Sequence, residues 1–406
     1  MTSLVPTIDV TAKGLQTRLP EGTLASNQTT LLGAGVIALG VSVAAAFISG
    51  AKEFLASYLV AYMFALTLCV GSLFFVMIQH ITRASWSVVV RRLAENMSAV
   101  LPIMAVLFLP IAIWAGKIYE HWWHLDAALG DKTLEDKRIY LNPTFWYIRA
   151  AFYFAVWIGF STWFRKRSLE QDQTGDAMIS LTMSKRAAPG LLLTGLTYTF
   201  AAFDWLMSLN PHWFSTMWGV ILFAGSMMAT FGTIALFAMW LGRKGWLKEA
   251  ISTEHYHDLG KLLFAFMVFW SYTSFSQYML QWYANLPEET EYWKMRLEGN
   301  WEIAGKALII GHFAVPFAFL MSRHVKRSPT LLTIGTLFLL AMHWLDLHFM
   351  VMPNFRDHFA PTWYDITCWL GFAAIFASFT INNMRKVPLI PERDPRLAES
   401  LHFTNI

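Results

Sequence analysis

Cysteine is almost missing from this sequence. Of 406 residues only two are cysteine, Cys69 and Cys368, each inside an apolar run and neither with a Cys-x-x-Cys partner. That excludes a thiolate iron–sulfur cluster, a zinc site of the usual spacing and a Cys-x-x-Cys-His attachment for covalent haem. Any redox centre that works with this chain is expected in another subunit, and no metal site is expected here. Charge is the second shortage. Asp, Glu, Lys and Arg make up 14% of the chain, where a soluble domain carries about 25%. A cleavable leader is not expected either: residues 1–30 are polar and mixed in charge, without a basic region leading into a short apolar core. The net charge of +4 makes no case for nucleic acid, because the basic residues sit in short loops between apolar runs.

What fills the space is apolar. Hydrophobic residues reach 56%, and 19 Trp, 13 Tyr and 32 Phe fit aromatic belts at two membrane interfaces. Ten runs are long enough to span a bilayer, which takes about 20 residues. They cover roughly 31–49, 55–80, 97–115, 147–164, 190–209, 214–241, 258–282, 306–323, 331–352 and 363–383. The fold class read from them is all-α integral membrane, with ten transmembrane helices between an N-terminal tail (1–30) and a C-terminal tail (384–406). Of the 31 basic residues, twenty fall in the tails and loops of one side and eight in those of the other. By the positive-inside bias both termini face the cytoplasm.

One stretch stands against this background: HWLDLH, His343–His348, inside the ninth run. Asp at membrane depth is disfavoured by roughly 2.5–3.5 kcal/mol, so a partner or a function must offset it. The fifth run echoes it. Asp204 and Asp346 each lie seven residues before a proline, Pro211 and Pro353. These helices are four spans apart and equally oriented, which suggests two tandem four-helix units, helices 2–5 and 6–9, flanked by helices 1 and 10. At about 1.5 Å per residue, Asp204, His343 and Asp346 lie roughly 18–23 Å from the cytoplasmic side. His312 lies about 9 Å below the outer surface, and Gln277 and Gln281 also fall near the outer end. Several helices thus bring polar groups to the outer half of the bilayer.

His343 and Asp346, three apart, share a helix face, while His348 points elsewhere, toward the interface. A buried carboxyl beside an imidazole can accept and pass on protons. Quinol oxidation needs that, since two protons leave as two electrons depart. Asp204, His312, His343 and Asp346 are the candidate proton-transfer residues, and Gln277 and Gln281 the candidate quinone contacts. The plain alternative is that these groups tie helices together. Other features carry less. Residues 83–96 read as a basic amphipathic stretch on the cytoplasmic interface, and His80 as interfacial. Glu254, His255, His257 and Asp258 form either a proton entrance or a solvated loop. Glu120, His121 and His124, among Trp122 and Trp123, read as belt residues before metal ligands. The outward loops 116–146 and 283–305 either dock a periplasmic partner or are simply solvated.

Ten spans in two units resemble the NrfD/PsrC-type membrane subunits of quinone-linked oxidoreductases. More narrowly, QYMLQWYANLPEETEYW (Gln277–Trp293) and FDWLMSLNPHWFSTMWG (Phe203–Gly219) resemble the ActF family of bacterial alternative complex III, a quinol:cytochrome c oxidoreductase. The resemblance covers nearly the whole chain. It implies a bacterial inner-membrane location and partners: a related ten-helix ActC-like subunit, an iron–sulfur subunit, haem c subunits and lipid. Haem c and iron–sulfur clusters would sit in those partners, with quinol or quinone as the one small molecule this chain could meet. The alternatives are a proton or ion channel or carrier, and a purely structural membrane anchor.

Overall fold

In the computed structural model residues 15–48, 50–124 and 130–405 are described. Lys13 and the first part of the expected N-terminal tail lie outside them, as do residues 125–129 of the first outward loop. In lipid every backbone N–H and C=O must be satisfied within the protein, so the apolar runs wind as helices. They are α1 (Ala25–Ile48), α2 (Ala51–Ile81), α3 (Val88–Ile113), α4 (Pro143–Thr174), α5 (Ala177–Trp205), α6 (Trp218–Arg243), α7 (Thr253–Ala284), α8 (Trp301–Met321), α9 (Pro329–Val351) and α10 (Trp363–Arg385). Among the described residues every regular element is helical. Seven of these helices, all but α4, α5 and α7, are long and apolar enough to cross a membrane. This is a multi-pass membrane protein. The other three run to 32, 29 and 32 residues but carry polar stretches at their ends.

The bundle is built around α2. Its sequence is apolar on every side, the pattern of a helix enclosed by others, and its apolar middle is wholly buried. Helices α3, α5, α6, α9 and α10 pack about it. Gly71 permits the close approach of α6, since a Cβ there would lie 2.9 Å from the Ser226 carbonyl oxygen. Helix α4 packs on α5, α6 on α7 and α9, and α10 on both α1 and α2. Exposed Val36, Ile37, Phe152, Leu192, Leu280 and Ile309 leave an apolar outer surface suited to acyl chains.

Several expectations need correction. The stretch 83–96 is no surface helix: Val88–Ser98 is buried throughout. Arg91 reaches Asp394 at 2.5 Å, and Arg92 reaches Asp172 at 2.7 Å and Glu95 at 3.0 Å. Carboxylates supplied from α4 and from the chain's C-terminal segment let both guanidiniums leave water. Helix α3 therefore starts at Val88 rather than near 97, and it breaks before Pro102 and Pro110, which lack an N–H. The expected loop 165–189 is mostly helix. Gly175, at φ 69°, turns the chain, and the Asp176 carboxylate accepts from the Met178 N–H at 2.8 Å to start α5. His80 is buried against the Phe164 ring rather than interfacial. His348 is likewise buried, its Nε2 3.6 Å from Asp365. The segment after Arg385 folds back, with the Leu389 N–H donating to the Thr17 carbonyl at 2.7 Å. That end, where both terminal segments meet, is the terminal face; the opposite end is the outer face.

Candidate functional site

Helix α9 carries His343 and Asp346 between α2, α6 and α8, and both are buried. Asp346 Oδ2 accepts one hydrogen bond, from the Trp270 indole N–H of α7 at 2.9 Å. Among the described residues no cation pairs with this carboxyl. Trp270 also meets α8: its ring stacks on His312 with centroids 3.7 Å apart. His312 owes its position to a local fault in the helix. Leu308–Ala314 winds as a π-helix, with the Val315 N–H bonding the Ile310 carbonyl five residues back. Pro316 contributes, because it has no N–H for the His312 carbonyl four residues before it. Wide turns of this kind often mark functional positions.

The hydrogen bonds fix the state of both imidazoles. Thr67 of α2 gives its single hydroxyl proton to the Phe64 carbonyl at 2.7 Å, so its oxygen can only accept from His343 Nε2 at 3.0 Å. His343 Nε2 therefore carries a proton and Nδ1 presents a lone pair. Nδ1 faces α6 at Gly225, where a Cβ would lie 3.0 Å from it and 3.6 Å from Trp270 Cδ1. His312 repeats the arrangement. Its Nε2 lies 3.2 Å from the Met228 sulfur, an acceptor, which leaves Nδ1 as the free nitrogen. Both Nδ1 atoms are buried, and neither has a hydrogen-bond partner among the described residues. A carboxyl and two bare imidazole nitrogens thus gather around one indole in an apolar interior.

Asp204 is elsewhere and differently made. The Arg149 guanidinium of α4 grips it with two bonds of 2.7 and 2.8 Å, and the Tyr153 hydroxyl adds a third at 2.7 Å. Gln277 accepts from Ser215 at 2.7 Å and Gln281 from the Trp293 indole at 2.8 Å. Both tie the outer end of α7 to neighbouring loops, and neither touches the Trp270 cluster. No family model matches this chain, and a search of curated proteins finds no match to it. Among the described residues no group of three or more His, Cys, Asp or Glu side chains is placed to hold a metal ion.

Trp270, Thr67, Met228 and Arg149 were not singled out from the sequence. Trp270 had a signal in principle, being seven residues before Gln277 and so on one helix face with it. Arg149 had a stronger one, as a lone cation in the fourth apolar run opposite a lone acid in the fifth. On the terminal face, Glu254 is no loop residue. It lies in the first turn of α7 and pairs with Arg327 at 2.6 Å. The hydrogen bond from Arg327 holds its carboxyl down at about 2. Asp258 is likewise paired, with Lys261.

Proposed function

We propose that this chain is a ten-span membrane subunit of a bacterial respiratory quinol:cytochrome c oxidoreductase of the alternative complex III type. Its spans form two four-helix units, α2–α5 and α6–α9, flanked by α1 and α10, with both termini in the cytoplasm. Its work is to handle the protons released when quinol is oxidised. The observation that carries this reading is the Asp346–Trp270–His312–His343 cluster, an acid without a counter-ion beside two imidazoles with bare nitrogens. A structural anchor has no use for such groups, since an unpartnered polar atom in an apolar interior is destabilising.

Iron–sulfur and haem c centres in partner subunits would take the electrons from quinol. The two protons need acceptors within hydrogen-bond reach. Asp346 takes one at its carboxylate, with Trp270 Nε1 holding that group in place. His343 takes a proton at Nδ1 and holds it as an imidazolium, with its Nε2–H still donated to the Thr67 hydroxyl. His312 offers a second acceptor of the same design at the π-turn. The resemblance of Phe203–Gly219 and Gln277–Trp293 to the ActF family supplies the quinol context; the geometry supports proton handling.

The test is quinol:cytochrome c turnover of the purified assembly carrying Asp346→Asn, with subunit content and haem spectrum confirming assembly. Collapse of turnover in an assembled complex is the expected result. Wild-type turnover in that complex would remove the functional role of α9. Charge movement that follows membrane potential without any quinol would favour a channel or carrier.

A further inference from the structure

On the outer face a second arginine sits where no carboxylate meets it. Arg296, on the helix Pro287–Leu297 of the second outward loop, is 1% exposed. Its N–H groups go to backbone carbonyls only: Phe349 at 3.2 Å, Met350 at 2.8 Å and Tyr292 at 3.2 Å. Among the described residues none makes an ion pair with it. The guanidinium lies 3.4 Å above the Tyr292 ring, whose stacking partner is Trp213. Burial brings the guanidinium down to about 10, so it remains charged at neutral pH. A buried cation offset only by carbonyl dipoles and one aromatic face is unusual, because buried charges are ordinarily paired.

Beside it is a cavity lined by Arg296, Tyr292, Trp213, Trp218, Asn210 and Asn354, with room for about one water-sized sphere. Trp213 and Trp218 are both buried, and the indole N–H of each is without an acceptor among the described residues. A guanidinium uses three of its five N–H groups on the carbonyls named, so two remain. The unspent groups around this cavity are the two guanidinium N–H groups, the two indole N–H groups and the neutral amides of Asn210 and Asn354, so the one charge at the cavity is positive.

We infer that this cavity is a binding site for one small monovalent anion of halide size, held by Arg296 and the indole N–H groups of Trp213 and Trp218. The ion supplies the negative charge that Arg296 lacks and the acceptor that both indoles lack. Its place is fixed by the loops joining α5 to α6 and α7 to α8 and by the outer end of α9, so its occupancy clamps the outer face. A water molecule would satisfy the indoles and leave the charge uncompensated. The inference is independent of the proton reading, since it invokes neither Asp346 nor either free imidazole.

The test is thermal unfolding of the full-length chain in detergent as gluconate is replaced by chloride at constant ionic strength. The wild type is expected to show a saturable rise in Tm with chloride, and bromide a saturable component of tryptophan quenching. The pair Trp213→Phe and Trp218→Phe keeps both rings and removes both donors. It should raise the half-saturating chloride concentration by ~10-fold or more, and Arg296→Gln should abolish the response. Should either variant fail to fold, saturable bromide quenching in the wild type decides the matter alone. No halide dependence in the wild type would overturn the site in favour of a bound water. An equal response in the double Phe variant would place the ion elsewhere, and a response to sulfate or phosphate without one to halide would assign the cavity to larger oxyanions.

Discussion

Asp204 and Asp346 hold the same place in their helices, each seven residues before a proline, and they have opposite surroundings. Asp204 is closed: two guanidinium bonds and a tyrosine hydroxyl use its oxygens. Asp346 is open, with one indole N–H and, among the described residues, no cation. Two buried arginines, each over a tyrosine ring, are used differently. Arg149 lies 3.9 Å over Tyr140, and Arg296 lies 3.4 Å over Tyr292. The first turns its fork onto the acid. The second gives its N–H groups to the carbonyls of Phe349 and Met350. A buried acid is therefore not a functional signal in itself; a buried acid that no arginine meets is a stronger one.

The widest separation between the two sites should come from breaking the closed one. Arg149→Met strands the Asp204 carboxylate, and loss of one partner of a buried pair costs about 3–5 kcal/mol. Thermal unfolding in detergent should show a large fall in Tm, mostly recovered in the double variant Arg149→Met/Asp204→Leu. A single variant as stable as wild type would show that the pair is no clamp. A second closed pair offers a control far from either acid. Asp394 is opposed by its burial, but the charges of Arg91 and Arg396 outweigh it and hold the carboxyl at about 2. Its folded value lies below the ordinary 3.8. The stabilisation, roughly 2 kcal/mol, is therefore fully present above that ordinary value and lost as pH falls through about 2. Protease access to the segment after Arg385 should rise over that window in the wild type. Asp394→Asn should show the access already at neutral pH.

Within the open site, Trp270→Phe keeps the ring on His312 and removes the hydrogen bond that the indole gives Asp346. We expect a loss of ~1–3 kcal/mol in unfolding free energy together with reduced turnover. A turnover unchanged in an assembled complex would show that the indole packs the site and does not position the carboxyl.

Much of the helical layout was legible in the sequence, because a 20-residue apolar run in a polytopic chain has few other outcomes. The ends were legible only in part. The reading of 83–96 as amphipathic failed because periodicity shows which face is polar and not what that face meets, and here Asp172 and Asp394 meet Arg91 and Arg92 from distant parts of the chain. Depth counting placed His312, His343 and Asp346 in the outer half and treated Asp204 as their equal. It had no means to see that Arg149 closes Asp204, since the pairing depends on how α4 and α5 rotate against each other. The π-turn at His312 was equally hidden: Pro316 is visible in sequence, but a proline can kink, end or widen a helix, and packing selects among these.

The smallest change in stability is expected at the open acid itself. Asp346→Asn preserves shape, and its amide oxygen can still accept from Trp270 Nε1 at the present 2.9 Å. No ion pair is broken, because none is made. The variant removes a group that is poorly solvated as an anion, so unfolding free energy should move by less than about 1 kcal/mol, in either direction. Asp204→Asn, by contrast, leaves a buried guanidinium facing an amide and should fall toward the range expected for Arg149→Met. Parallel melting curves of the two asparagine variants measure the contrast directly. Equal, large losses would mean that Asp346 has a cationic partner in the folded protein and that its isolation is not real. A large loss at Asp204 beside a negligible one at Asp346 means the chain keeps the second acid at no benefit to its stability, which leaves chemistry as the reason for its presence.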